Sequence, residues 1–261
     1  MLATIRVGDG PRHAVLIHGF LGSGRNLASF ARRWVEIDPS LSFLLPDLPG
    51  HGVSPAVTEG AGLAEIARDV LATARAQGFD GPLHWVGHSF GGRVSLAASQ
   101  AVPDAVRDVT LLDIGPGPIP HRTSESAQVL DRLREAPATA PDRETMRRFL
   151  LGRGIKPGVT EWLLMNLVHT EQGYVWRIDR EALARLHERV LSEDLWPAVE
   201  ARHVPMRCVR GELSPYVADA DAVRLERAGC PVATLAGSGH FVHVDAPDRL
   251  LDLVTGRVAW E

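Results

Sequence analysis

One short segment limits what this chain can fold into more than any other: Val86-Gly87-His88-Ser89-Phe90-Gly91-Gly92. It contains Gly-x-Ser-x-Gly. An apolar, strand-like run, Leu83 to Val86, leads into it, and a helix-like run, Arg93 to Ala101, leads away. A serine at a tight strand-to-helix turn is pushed into a strained, exposed conformation, and flanking glycines let backbone come close without Cβ clashes. A serine hydroxyl is a weak nucleophile on its own. It needs a base, an acid to orient that base, and donors for the oxyanion.

The surrounding pattern predicts a sheet to carry that turn. Ala14-Val15-Leu16-Ile17 reads as a short buried strand ending at His18-Gly19, and helical spacing follows through Leu27, Phe30, Ala31 and Trp34. Phe43-Leu44-Leu45 is the next strand candidate. Leu63, Ile66, Ala67, Val70, Leu71 and Ala74 share one helical face, ended by Gly78. Val109 to Leu112 is a further strand, stopping at Asp113. Strands that are apolar throughout and alternate with helices indicate a mostly parallel sheet covered on both faces.

That alternation breaks at Gly115-Pro116-Gly117-Pro118-Ile119-Pro120, a run of turn residues. From about Ser124 to Ala198 the chain reads as several helices, centred on Val129–Leu133, Met146–Leu151, Trp162–Val168 and Leu183–Leu191. Strand–helix alternation resumes at Met206 to Val209 and Val232 to Leu235, and a helix from Asp248 towards Trp260 closes the chain. The expected organisation is an α/β core of residues 1–115 and 200–261, with residues 116–199 as a helical cap.

Composition narrows the function classes. The chain has 261 residues, enough for one large domain or one domain with an insertion, and 45% of them are hydrophobic, as in globular proteins. A net charge of −4 with no basic stripe argues against nucleic acid as a partner. Cys208 and Cys230 lack metal-ligand spacing and read as buried small hydrophobes. No secretory leader is evident, and no apolar run reaches the ~18 residues a membrane span requires, so a cytoplasmic location is expected.

The base is expected at His240, in Gly237-Ser238-Gly239-His240-Phe241 after the last strand-like run. A loop of small residues there places an imidazole beyond a strand end, where open parallel sheets build their sites. His243 reads as a wall residue. The turn His18-Gly19-Phe20-Leu21-Gly22-Ser23 is the expected oxyanion site. The N–H of Phe20 would be one donor and that of Phe90, next to the serine, the other.

His18-Gly19-Phe20, Asp47-Leu48-Pro49-Gly50-His51-Gly52-Val53-Ser54, Gly87 to Gly92 and Gly239 to His243 together resemble the α/β-hydrolase superfamily, in that superfamily's order and across most of the chain. The resemblance implies an α/β-hydrolase fold: a mostly parallel eight-stranded sheet flanked by helices, a cap inserted after the sixth strand, and a Ser-acid-His triad. It also gives Asp47 to Ser54 the role of bracing the oxyanion turn. Most relatives carry the acid in the loop after the seventh strand. Here that loop, Arg210 to Val217, has Ser214 and Pro215 at the expected position. Asp113, at the end of the preceding core strand, is therefore the first candidate, with Glu212 next and Asp219 and Asp221 behind. Asp113 together with Gly-x-x-Ser-Pro-Tyr and Trp176-Arg177-Ile178-Asp179 resembles a smaller esterase group, the YbfF-like and ABHD11-like esterases.

The expected activity is a serine-type carboxylic-ester hydrolysis using Ser89, His240 and Asp113, with no metal or organic cofactor. Its partner would be a small-molecule ester, and the chain a monomer or homodimer. Alternatives on the same residues are carbon–carbon bond hydrolysis, thioester hydrolysis, acyl transfer or perhydrolysis; a ligand-binding member of the fold without turnover is a further one. Trp162, Trp176, Phe241 and Tyr216 are candidates for the substrate pocket, although cap tryptophans equally serve as a cap's own core. Arg93, just past the serine, is expected on a helix surface.

Overall fold

The structure, a computed structural model, describes residues 1–120 and 124–260. In the first part of the chain, β1 (Thr4–Val7), β2 (Arg12–Ile17), α1 (Ala28–Ile37), β3 (Leu41–Pro46), α2 (Leu63–Ala76), β4 (Leu83–His88), α3 (Phe90–Ala101) and β5 (Val106–Leu112) follow the predicted alternation. An inserted segment follows with α4 (Glu125–Arg134), β6 (Thr139–Ala140), α5 (Arg143–Gly152), α6 (Pro157–Leu164), β7 (Leu167–Thr170), β8 (Gly173–Trp176) and α7 (Arg180–Ser192). The chain closes with α8 (Trp196–Glu200), β9 (Met206–Gly211), α9 (Asp219–Arg227), β10 (Val232–Leu235), α10 (Val242–Asp245) and α11 (Pro247–Val254).

The main sheet runs β1-β3-β2-β4-β5-β9-β10. All its neighbours are parallel except β1, which pairs antiparallel with β3. It has seven strands among the described residues, one fewer than the eight expected. Thr4–Val7 forms one edge of this sheet and Val232–Leu235 the other. The insertion follows the fifth strand of this sheet.

Strand alternation divides the core between the two faces. Val15 and Ile17 of β2 pack on one side with Ile66 and Val70 of α2 and Val94 of α3. Ala14 and Leu16 pack on the other with Phe30 and Trp34 of α1 and Leu250 and Leu253 of α11. Burying each large side chain contributes about 1.5–3 kcal/mol. Register then brings strand ends into line: Ile17 pairs with Gly87, His88 with Leu112, Leu112 with Val209, and Gly211 with Leu235. The loops after β2, β4, β5, β9 and β10 consequently emerge along one edge.

The inserted segment is not purely helical. β6, β8 and β7 form a small antiparallel sheet, and β7 replaces the end of the helix expected over Trp162–Val168. Gly173, with φ +102°, closes the β7–β8 hairpin between runs rich in β-branched and aromatic residues. Helix starts are capped locally. Ser124 Oγ accepts from Ala127 N–H (3.2 Å), and Asp142 accepts from Thr145 N–H (2.7 Å). Asp179 accepts from the N–H groups of Glu181 and Ala182 (3.0 Å each). Such caps contribute about 1 kcal/mol apiece.

Two further expectations change. The closing helix ends at Val254, because Gly256 turns the chain at φ +72° and Trp260 folds back to donate from Nε1 to Leu253 O (3.1 Å). Arg93 is 1% exposed, not on a helix surface. Helix α3 is buried on every side from Phe90 to Ser99, so this guanidinium has no route to water. It donates instead to Gly115 O, Gly117 O (2.8 Å), Val190 O (3.0 Å from Nη2) and Glu193 O, where the chain leaves and re-enters the core. Burial pulls its pKa down to about 10. Cys208 and Cys230 are both free and buried. Among the described residues no helix is long and apolar enough to cross a membrane.

Candidate active site

Ser89 sits between β4 and α3 with φ +53° and ψ −117°. This sparsely populated, positive-φ backbone costs a non-glycine residue about 1–3 kcal/mol. Close packing dictates the glycines around it. A Cβ on Gly87 would stand 2.2 Å from the backbone of Gly91, and one on Gly91 would stand 2.4 Å from Ile17 O. The Ser89 N–H donates to Leu112 O (3.0 Å), which ties the turn to the neighbouring strand.

His240, in the loop after β10, faces Ser89. The Ser89 hydroxyl donates to His240 Nε2 (2.9 Å), and His240 Nδ1–H donates to Asp113 Oδ2 (2.7 Å). Asp113 is fully buried at the end of β5, with its backbone at φ +57°. Its Oδ1 accepts from Gly211 N–H (2.8 Å), and its Oδ2 also accepts from the Ser214 hydroxyl. Ser214, at the loop position where an acid was first expected, thus donates to the carboxylate that comes from the end of β5. The other carboxylates are engaged elsewhere. Glu212 accepts from Gly237 N–H (2.7 Å), Asp219 pairs with Arg210 (2.7 Å), and Asp221 lies beside Gly115.

The His18–Ser23 turn lies against the elbow. The ring of Phe20 meets that of Phe90 edge-on, with centroids 5.7 Å apart, and the N–H groups of Phe20 and Phe90 have no partner among the described residues. Leu21, at φ +62°, bends this turn. Of the four non-glycine residues with positive φ among the described residues, Leu21, Ser89 and Asp113 surround the site. Strained backbone of this kind gathers where geometry is used. The Asp47–Ser54 loop holds the turn from behind: Leu48 N–H donates to His18 Nε2 (3.0 Å), and Asp47 accepts from Gly24 N–H (2.8 Å) and Val53 N–H (3.0 Å).

Several buried imidazoles support these loops in neutral form. Burial brings His18 and His243 down to about 4 and His51 to about 3, the last helped by His18. Burial, together with nearby His240 and His243, holds His88 well below its usual range. His88 Nε2–H donates to His240 O (2.8 Å), fixing the backbone of the base loop.

A chamber of about 140 Å³ opens over Ser89 and His240. Trp162, Phe241 and Tyr216 line it, with Val129 and Val159 of the inserted segment. Tyr216 stacks on His240, with centroids 4.1 Å apart and planes at 29°. Trp176 is elsewhere. It belongs to β8, donates from Nε1 to Pro137 O (3.0 Å), and lines a separate depression beside Arg180, because the small sheet turns it away from Ser89. Ser214, Val129 and Val159 are not evident as site residues in the sequence; only Ser214 carries a signal, as a hydroxyl where an acid is expected. A larger cleft, about 630 Å³, lies at the opposite, amino ends of the strands between Arg12 and Arg207.

Known proteins share this architecture. Esterase YbfF of Escherichia coli (strain K12) is 27% identical over 242 residues, spanning 91% of this chain and 89% of that protein. The sn-1-specific diacylglycerol lipase ABHD11 of Mus musculus is 26% identical over 252 residues, spanning 94% of this chain and 80% of that protein. A solved marine microorganism esterase superposes with a TM-score of 0.86 at 25% identity, covering 98% of this chain and 99% of the other. The family model described as "Alpha/beta hydrolase family" matches residues 14–253, from within β2 to the last helix, and on that match the chain belongs to the alpha/beta hydrolase family.

Proposed function

We propose that this chain is a serine carboxylic-ester hydrolase that acts on small to medium acyl esters through an acyl-enzyme. One run of contacts carries the reading: Ser89 Oγ to His240 Nε2 at 2.9 Å, and His240 Nδ1 to Asp113 Oδ2 at 2.7 Å. Ser89 Oγ attacks the ester carbonyl while His240 Nε2 takes its proton. Asp113 holds the imidazole in the tautomer that leaves Nε2 free to accept, and stabilises the imidazolium once formed. Ser214 and Gly211 N–H in turn hold Asp113. The N–H groups of Phe20 and Phe90 receive the negative charge of the tetrahedral intermediate; removing one such donor typically costs about 10²–10³ in turnover.

His240 then returns the proton to the leaving alcohol. Water, deprotonated by the same nitrogen, attacks the acyl-enzyme and releases the acid with Ser89 restored. The neutral state of His18, His51, His88 and His243 leaves no competing cation beside the imidazolium. We assign residues 116–199 as the cap over a core of 1–115 and 200–261. Val129, Val159 and Trp162 of that segment form much of the apolar wall above Ser89, which supports it. The deciding experiment is hydrolysis of p-nitrophenyl butyrate with labelling by a fluorophosphonate. Saturable turnover and labelling, both abolished by Ser89→Ala, are expected. Absence of both from the folded wild-type protein would overturn the assignment.

A further inference from the structure

A second, smaller crevice of about 40 Å³ adjoins the chamber over Ser89 and shares Leu21, Gly22, Asn26 and Trp162 with it. It starts one residue beyond Phe20. Its walls are pinned across the two parts of the fold. Asn166, 6% exposed, donates from Nδ2 to Leu21 O (3.0 Å), and Asn26 Nδ2 lies 3.7 Å from Met165 Sδ. Two arginines complete the lining, Arg25 from the turn before α1 and Arg177 from the end of β8. The Arg177 backbone is fixed by its N–H, which donates to Asn166 O (2.8 Å).

Neither guanidinium has a hydrogen-bond or ion-pair partner among the described residues. Other arginines, such as Arg32 and Arg107, are also without a partner among the described residues. What separates these two is that they converge on a crevice continuous with the reacting centre. The main chamber has the opposite character. It is largely apolar, and the only carboxylate lining it among the described residues is Glu125, which repels an anion from that part of the site. At about 40 Å³ the crevice is a few times the roughly 10–15 Å³ needed to admit one water, room for a small oxyanion group.

We infer that the preferred substrate carries an anionic group, a carboxylate or a phosphate, which Arg25 and Arg177 bind in this crevice while the ester lies at Ser89. The inference rests on the ester-hydrolase reading above and adds the charge class of its substrate. Guanidinium forks match planar carboxylates and phosphate oxygens in paired hydrogen bonds. Both arginines are exposed to solvent, so the gain is moderate and sensitive to salt.

Three esters test it, each corrected for spontaneous hydrolysis: neutral p-nitrophenyl butyrate, mono-p-nitrophenyl succinate with the anion on the acyl side, and 3-butyryloxy-4-nitrobenzoate with the anion on the leaving group. One anionic ester is expected to exceed the neutral ester in kcat/KM by about tenfold, the size suited to a partly solvated charge-assisted pair. Which one does so assigns the crevice to the acyl or the leaving-group side. In the Arg25→Gln, Arg177→Gln double variant that ratio should fall to about one, and 0.5 M NaCl should lower it in the wild type. Neutral-ester turnover without an anionic advantage, or an advantage that survives the double variant, overturns the inference and leaves the esterase reading standing. Failure to hydrolyse any of the three overturns both.

Discussion

The two ends of the same parallel strands offer an instructive contrast. At the carboxyl ends a chamber of only about 140 Å³ holds a serine, an imidazole and a buried carboxylate in contact, the serine and the carboxylate on backbone held at positive φ. At the amino ends a cleft of about 630 Å³ holds Arg12 paired with Asp38 (3.0 Å), His84 paired with Asp108 (2.7 Å) and Arg207 bonded to Thr110 (2.8 Å). None of its non-glycine lining residues has a strained left-handed backbone. The charged side chains of the larger space are spent on its own walls. The smaller one has a serine hydroxyl aimed at an imidazole, and two backbone N–H groups without a partner among the described residues. Convergence of groups, rather than volume, marks the reactive end.

The contrast can be broken by experiment. Its strongest form concerns Ser89. Ser89→Gly should reduce ester turnover by about 10⁵-fold or more. It should also raise stability by about 1 kcal/mol, because glycine accepts φ +53° without strain. Thermal denaturation beside the kinetic assay checks both, and an unchanged or lower melting temperature would remove strain from the account. Next, Asp113→Asn should lower kcat by about 10⁴-fold, since the imidazole loses the acceptor that fixes its tautomer. Glu212→Gln should leave turnover near wild type. The reverse pair of results would move the acid to the β9 loop.

Acid sensitivity comes next in size. The imidazoles of His18, His51 and His243 have folded values of about 4, 3 and 4, below the unfolded value near 6.5. As pH falls below 6.5 the unfolded chain takes up protons that the folded chain refuses. Their stabilisation is therefore complete above that pH and is lost progressively down to about 4, at about 1.4 kcal/mol per pH unit for each group. Urea midpoints at pH 7, 6 and 5 should drop steeply, and a flat profile would show these rings charged in the fold. Ser214→Ala, which removes one donor from Asp113, should cost about tenfold in kcat with a smaller change in KM. Smallest of all, His84→Asn at the amino end should leave ester turnover within about twofold, because no group there reaches Ser89. A large loss from His84→Asn would mean that the ends are coupled.

Much of the carboxyl end was legible in the residues. Gly-x-Ser-x-Gly between an apolar run and a helical one has few alternatives, and the glycines at 87 and 91 are explained by contacts of 2.2 and 2.4 Å that any Cβ would make. His240 was legible from its place after the last strand. Asp113 could be ranked ahead of Glu212 but not fixed, because the choice depends on which loop end faces the imidazole. The role of Ser214 was hidden for the same reason: a hydroxyl reads as a turn residue until its carboxylate partner arrives from β5. The inserted segment was harder to read. β7 and β8 are four residues each, too short for a periodic signal, and the hairpin that turns Trp176 away from the chamber went unread. Arg93 was misplaced because a charge near a helix start is ordinarily solvated, while here the whole helix is enclosed.

The single guanidinium of Arg93 grips Gly115 and Gly117 on the outgoing chain and Val190 and Glu193 on the returning one. Every one of its acceptors is a main-chain carbonyl, so the grip ignores which side chains lie between. A foreign segment grafted between residues 117 and 190 would meet the same fastening. Chimeras with crossovers at these two points should therefore keep the catalytic floor in register while exchanging the roof, and recombination within the fold has a ready seam to use.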